Sequence, residues 1–141
     1  MVAEALIARA RALEAMFHRA NFLGYLGASI HFNDELRSIV TLPHKPELEH
    51  AMGGVHGGVL ATLIDAAAWF AAAVHYPSWI TTVEFDTRLL EPVVGEDLVA
   101  VGRVLRAGKR IAVAQAEVRT ASGRLVAAGT ATLSATRLPI D

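Results

Sequence analysis

At 141 residues, 53% of them hydrophobic, the chain carries enough apolar material for one domain with a core of its own and too little length for two. A net charge of −1, with basic residues scattered apart from short groups such as Lys109-Arg110, argues against a nucleic-acid surface. The absence of cysteine excludes disulfides, thiolate metal sites and a cysteine nucleophile together, and it fits a reducing compartment.

In chain order, Ala3 to about Arg19 reads as an amphipathic helix. Leu6, Leu13 and Phe17 form its apolar stripe, and Arg9, Arg11 and Arg19 surround it. Residues 1–22 are expected to form a covering helix over a single domain spanning 1–141. Glu4, Arg9, Arg11 and Glu14 interrupt any continuous secretory core, so a cytoplasmic location is expected. Gly24 and Gly27 break the helical pattern. Two strand-like segments follow, Gly27 to Phe32 and Arg37 to Leu42, with Asn33-Asp34-Glu35 as the turn of a hairpin. From Pro43 to Gly54 turn formers dominate without a clean period, and this loop feeds a long apolar helix from about Gly57 to His75, stopped at Tyr76-Pro77. The apolar run from Val59 to Val74 is too short, and too interrupted by Asp65, to read as a membrane span. After Pro77 come four strand candidates, Ile80 to Leu90, Asp97 to Arg106, Arg110 to Thr120 and Arg124 to Thr136, whose short turns predict antiparallel neighbours. A helix apolar nearly all round has to be wrapped on most sides, which a curved antiparallel sheet achieves. The expected class is α+β.

Asp65 is the only formally charged residue between Val55 and Val74. A carboxylate in such a run is costly unless solvated, paired or used in chemistry. Gly57 and Gly58, just ahead, allow close backbone approach to a ligand and leave the first helical N–H groups uncovered at the positive end of the helix dipole. Those donors suit a carbonyl oxygen gaining negative charge. Eight residues of helix separate Gly57 from Asp65, ~12 Å along the axis, whereas a reacting carbonyl has to lie about 3 Å from both its donors and its attacking group. One helix cannot serve both ends of one bond. If they share a site, the donors come from one subunit and Asp65 from another, through a two-fold pair of antiparallel helices.

In its order of elements and in His56-Gly57-Gly58 with Asp65 nine positions after the His, the chain resembles the hotdog-fold acyl-CoA thioesterases of the phenylacetic-acid-degradation (PaaI-like) group. The resemblance implies that Asp65 activates water or attacks the thioester, and that the Gly57 N–H polarises the carbonyl. His56 and Gly58 belong to the same helix start. His56 is read either as satisfying loop backbone or as taking part in the chemistry. Counting ten residues back from Pro92, the resemblance also assigns a water-positioning or Asp65-positioning hydroxyl to Thr82. Strict strand alternation instead puts Thr81 on the face of Val83 and Phe85, so both threonines stay open. Six residues before His56 the family pattern has Asn, where this chain has His50. An imidazole donates a hydrogen bond as the amide does, but it titrates near neutrality, so a distinct pH dependence is expected.

Trp69-Phe70 would line an acyl pocket or serve as core. Arg106, Lys109 and Arg110 flank a hairpin turn and are candidates for binding CoA phosphates. No metal is expected, since His44, His50 and His56 fix no common face and lack an acidic partner at ligand spacing. No Gly-x-Ser-x-Gly elbow supports a serine hydrolase. The expected activity is cofactor-free hydrolysis of an acyl-CoA by a homodimer, paired again into a dimer of dimers, with no nucleic-acid or membrane partner. Rival readings on the same fold are a non-catalytic acyl-CoA sensor and an enoyl-CoA hydratase.

Overall fold

The computed structural model describes residues 3–140. The first amphipathic stretch forms helix α1 (Glu4–Met16), buries Ala10 and Leu13, and tightens into a 3₁₀ turn at Phe17–Arg19. The helical pattern then resumes as α2 (Asn21–Leu26), where the sequence reading sees only a break. Gly24 is accommodated inside α2, and Gly27 ends it in the left-handed conformation with φ of 89°.

Strands β1 (Ser29–Phe32) and β2 (Ser38–Leu42) form the expected hairpin, Phe32 opposite Ser38. At the β1 edge, Glu14 of α1 accepts a 2.8 Å hydrogen bond from the Phe32 N–H and pairs with Arg11 at 2.7 Å. Burial pushes the Glu14 carboxyl up, but the bonds from Arg11 and Phe32 outweigh it and leave the group below the ordinary glutamate range. This contact fastens α1 to the sheet.

Helix α3 (Gly57–Ala73) runs through the centre, with Leu60, Leu63, Ile64 and every residue from Ala66 to Ala73 buried. No helix among the described residues is long and apolar enough to cross a membrane. Beyond α3 lie β3 (Ser78–Phe85), β4 (Arg88–Leu89), β5 (Leu98–Ala107), β6 (Ile111–Thr120) and β7 (Leu125–Pro139). The stretch expected as one strand from Ile80 to Leu90 is thus two strands, parted at Asp86-Thr87.

The described strands make one antiparallel sheet in the order β1-β2-β5-β6-β7-β3, with β4 also paired to β7. Pairing follows the short turns for β5, β6 and β7. It does not for β3, whose neighbour is β7 rather than β5. This is the hotdog fold, a curved sheet around one helix, with added helices at the N-terminus.

The sheet closes on α3 at backbone distance. A Cβ built on Gly102 of β5 would lie 2.1 Å from the Ala67 carbonyl oxygen, and the same oxygen accepts a hydrogen bond from the buried Ser38 hydroxyl. Neither neighbour is a flexible side-chain end that could move aside. We therefore expect Gly102→Ala to destabilise the fold by about 3 kcal/mol or more in urea unfolding, the upper end for overpacking. A loss under about 1 kcal/mol would show that the sheet can lift from the helix cheaply.

Candidate active site

Two cavities are lined by different residues of α3. The larger, of about 790 Å³, includes Gly58, Ala61, Thr62, Asp65, Trp69 and Phe70 on the helix and Trp79, Ile80, Thr82 and Phe85 on β3. The smaller, of about 320 Å³, is lined by His50, Val55, Gly57 and Leu60 together with Leu89 to Val93.

In the larger cavity the half-buried Asp65 accepts a 2.8 Å hydrogen bond from the Thr82 hydroxyl to Oδ1. The conflict between spacing and alternation resolves at Val83. Thr82 lies opposite Leu133 and Glu84 opposite Thr132, so Val83 is the extra residue of a β-bulge. The bulge reverses the alternation. Thr82 and Phe85, three residues apart, both line the cavity, and Glu84 turns outward to accept from the Thr132 hydroxyl at 2.6 Å. Thr81 touches the cavity rim but is exposed, and the partner of Asp65 is Thr82.

At the helix start His56 is the N-cap residue, and its Nδ1 accepts from the Gly58 N–H at 2.8 Å. The Gly58 donor is therefore taken up within the chain. The Gly57 N–H has no hydrogen-bond partner among the described residues, as expected of a first-turn donor. The loop that delivers this donor is tied down on both sides, by Val55 N–H to the Val93 carbonyl and by His56 N–H to the Leu48 carbonyl, each 2.9 Å.

His50 is exposed and lines the same cavity as Gly57. Its Nδ1 accepts from the Met52 N–H at 3.1 Å, which puts the proton of the neutral ring on Nε2 and makes that nitrogen a donor. The three loop histidines are dispersed. His44 pairs with Glu49 at 3.0 Å, His50 faces the smaller cavity and His56 caps the helix.

The structure thus groups Asp65 with Thr82, and Gly57 with His50, in separate cavities. Arg106, Lys109 and Arg110 line neither. Their hairpin is fastened near the far end of α3, where the Tyr76 hydroxyl donates to the Gly108 carbonyl at 2.6 Å. Trp69 and Phe70 are both core and cavity wall, with the Trp69 indole N–H held by the Ile80 carbonyl at 2.8 Å. The sequence reading missed Trp79, Phe85 and Arg19 as cavity residues. Trp79 and Phe85 depend on a strand pairing and a bulge, and Arg19 on how the N-terminal helices dock, none of which local periodicity shows.

With this geometry in place, comparison with known proteins decides the family. The sequence model of the Thioesterase superfamily matches residues 52–127, a stretch that includes His56, Gly57, Asp65 and Thr82. The chain belongs to that superfamily. Human acyl-coenzyme A thioesterase 13 is 31% identical to this protein over 122 residues, 83% of this chain and 86% of the human protein. A thioesterase family protein from Silicibacter pomeroyi superposes with a TM-score of 0.82 at 29% identity, over 95% of this chain and 98% of that one. The E. coli PaaI protein from the phenylacetic acid degradation operon matches the fold, with a TM-score of 0.86 over all of both chains at 22% identity. Thioester hydrolysis is the general activity these relatives support.

The cap at His56 can be tested by stability alone. His56→Ala should cost about 1 kcal/mol in unfolding free energy, and His56→Asn, which keeps a side-chain acceptor at the cap, should restore most of it. Equal stability of His56→Ala and the wild type in urea titration would show that the cap contributes nothing.

Proposed function

We propose that this thioesterase hydrolyses acyl-CoA thioesters to free acid and CoA at a site shared between two copies of the chain. The observation that carries the reading is the division of the helix. Asp65, with Thr82, looks into one cavity, while the unpartnered Gly57 donor looks into another, ~12 Å away along α3. A second copy related by a two-fold axis, its α3 antiparallel to the first, would bring the Gly57 end of each helix to Asp65 of the other. The exposed edge supports such pairing. β3 ends the sheet, and its Val83 is 61% exposed, an apolar strand edge that a second β3 would cover.

In this reading the Gly57 N–H receives the thioester carbonyl oxygen and stabilises the oxyanion as the carbonyl carbon becomes tetrahedral. His50 Nε2–H, beside Gly57, is a second donor for that oxygen. Asp65 of the opposing copy either takes a proton from water as the hydroxide adds, or attacks the carbon itself to give an anhydride that water then opens. In both routes the C–S bond breaks, the CoA sulfur leaves and is protonated, and the acyl group departs as the acid. Thr82 holds the Asp65 carboxylate by Oδ1 and leaves Oδ2 outside that contact. Trp69, Phe70 and Trp79 receive the acyl group. Contact of Arg106, Lys109 or Arg110 with CoA phosphates would require the second subunit, since within one chain they lie away from both cavities.

Release of free thiol from a panel of short, medium and aromatic acyl-CoAs tests the reading. Asp65→Asn should lower kcat by roughly 10²-fold or more while acyl-CoA binding persists. Tight binding with no thiol release by the wild type, or near-wild-type turnover by folded Asp65→Asn, would contradict it.

A further inference from the structure

Two side chains lining the larger cavity carry formal charge, the half-buried Asp65 on α3 and the exposed Arg19 on the turn after α1. Arg19 reaches the cavity from the 3₁₀ turn after α1, and its Nη1 donates to the Ile140 carbonyl at 3.0 Å. Pro139, the residue before Ile140, lies opposite Ser78 at the start of β3. Thr82, the partner of Asp65, is four residues further along that strand, roughly 13 Å from Ser78 by strand rise. Between them the wall is Trp69, Phe70, Trp79 and Ile80.

This arrangement suits a molecule with an apolar middle and a polar group at each end. The thioester carbonyl belongs at the Asp65 end and the apolar stretch takes the acyl chain, so what meets Arg19 is the far end of that chain. A guanidinium there has five N–H donors, of which the Ile140 bond uses one, and its planar fork matches a carboxylate in two parallel hydrogen bonds. We infer that Arg19 is a specificity-determining residue that selects acyl chains ending in a carboxylate, that is, the mono-CoA thioesters of linear dicarboxylic acids. The inference rests on the thioesterase reading and goes beyond it in naming the substrate class.

The test is a ratio measured on one preparation at a time, kcat/KM for octanedioyl- and decanedioyl-CoA divided by kcat/KM for octanoyl- and decanoyl-CoA. Arg19→Gln should lower that ratio about tenfold, the scale of a lost charge-assisted hydrogen bond. Arg19→Lys, which keeps the charge but not the fork, should fall between, and it guards against a folding defect confined to the Gln variant. An unchanged ratio in both variants overturns the inference, including the case where both substrate series lose equally, as contact with CoA phosphates would produce. If the wild type releases thiol from neither these series nor any short or aromatic acyl-CoA, the thioesterase reading falls and this inference falls with it, whereas turnover of short or aromatic acyl-CoAs with none of these two series overturns the inference alone. Turnover of the plain acyl chains with an Arg19-independent ratio overturns the inference alone.

Discussion

Helix α3 is gripped by the sheet through the carbonyl of Ala67, which meets the bare backbone of Gly102 on one strand and the buried Ser38 hydroxyl on another. A side chain at Gly102 would push the strand away, and an apolar residue at Ser38 would leave the carbonyl facing the core with one bond fewer. With the helix seated this closely, its two ends cannot shift relative to the strands that line them. The spacing of Gly57 and Asp65 is therefore a rigid length, set by helical rise rather than by loop adjustment. The proposal that a second copy of the chain completes the site rests on that fixed length.

The sheet edge carries the other half of the arrangement. A regular β3 would aim Thr82 and Glu84 to the same side and put a second carboxylate near Asp65. The bulge at Val83 turns Glu84 to the outer face, where Thr132 holds it, and swings Phe85 into the cavity in its place. One extra residue thus keeps a competing negative charge out of an apolar pocket and adds an aromatic wall to it. The same residue stands on the exposed edge, so the device that shapes the cavity also shapes the surface offered to a partner strand.

Much of this was legible in the sequence because it is local. The lone carboxylate of an apolar helix, the glycines ahead of it and the Pro77 stop are all read within twenty residues. The close turns of β5, β6 and β7 and the Phe32–Ser38 hairpin follow from short-range punctuation. Pairing across long separations was not legible. β3 joins β7 some fifty residues away, and nothing in its pattern distinguishes that neighbour from β5. The second short helix was hidden by Gly24, a residue that weakens a helix without forbidding it when the surrounding chain packs. Choosing Thr82 over Thr81 needed the bulge, which has no signature in alternating polarity. Arg19 looked like one more solvated residue of an amphipathic face, because its position at a cavity depends on where the C-terminal end of β7 stops.

The claim on which the functional account turns is that Gly57 and Asp65 act on one bond from different subunits. Gly57→Pro removes the proposed donor with little strain on the backbone, since proline suits the first helical position and His56 before it is already extended, at φ −62° and ψ 135°. A Cβ there would meet only the tip of the exposed Leu89 side chain. Mixing Gly57→Pro with Asp65→Asn, each inactive alone, and re-forming dimers gives hybrids in which one site carries both lesions and the other carries neither. The account predicts that thiol release returns in proportion to the hybrid fraction, and hybrids verified as folded and mixed that remain inactive would contradict it.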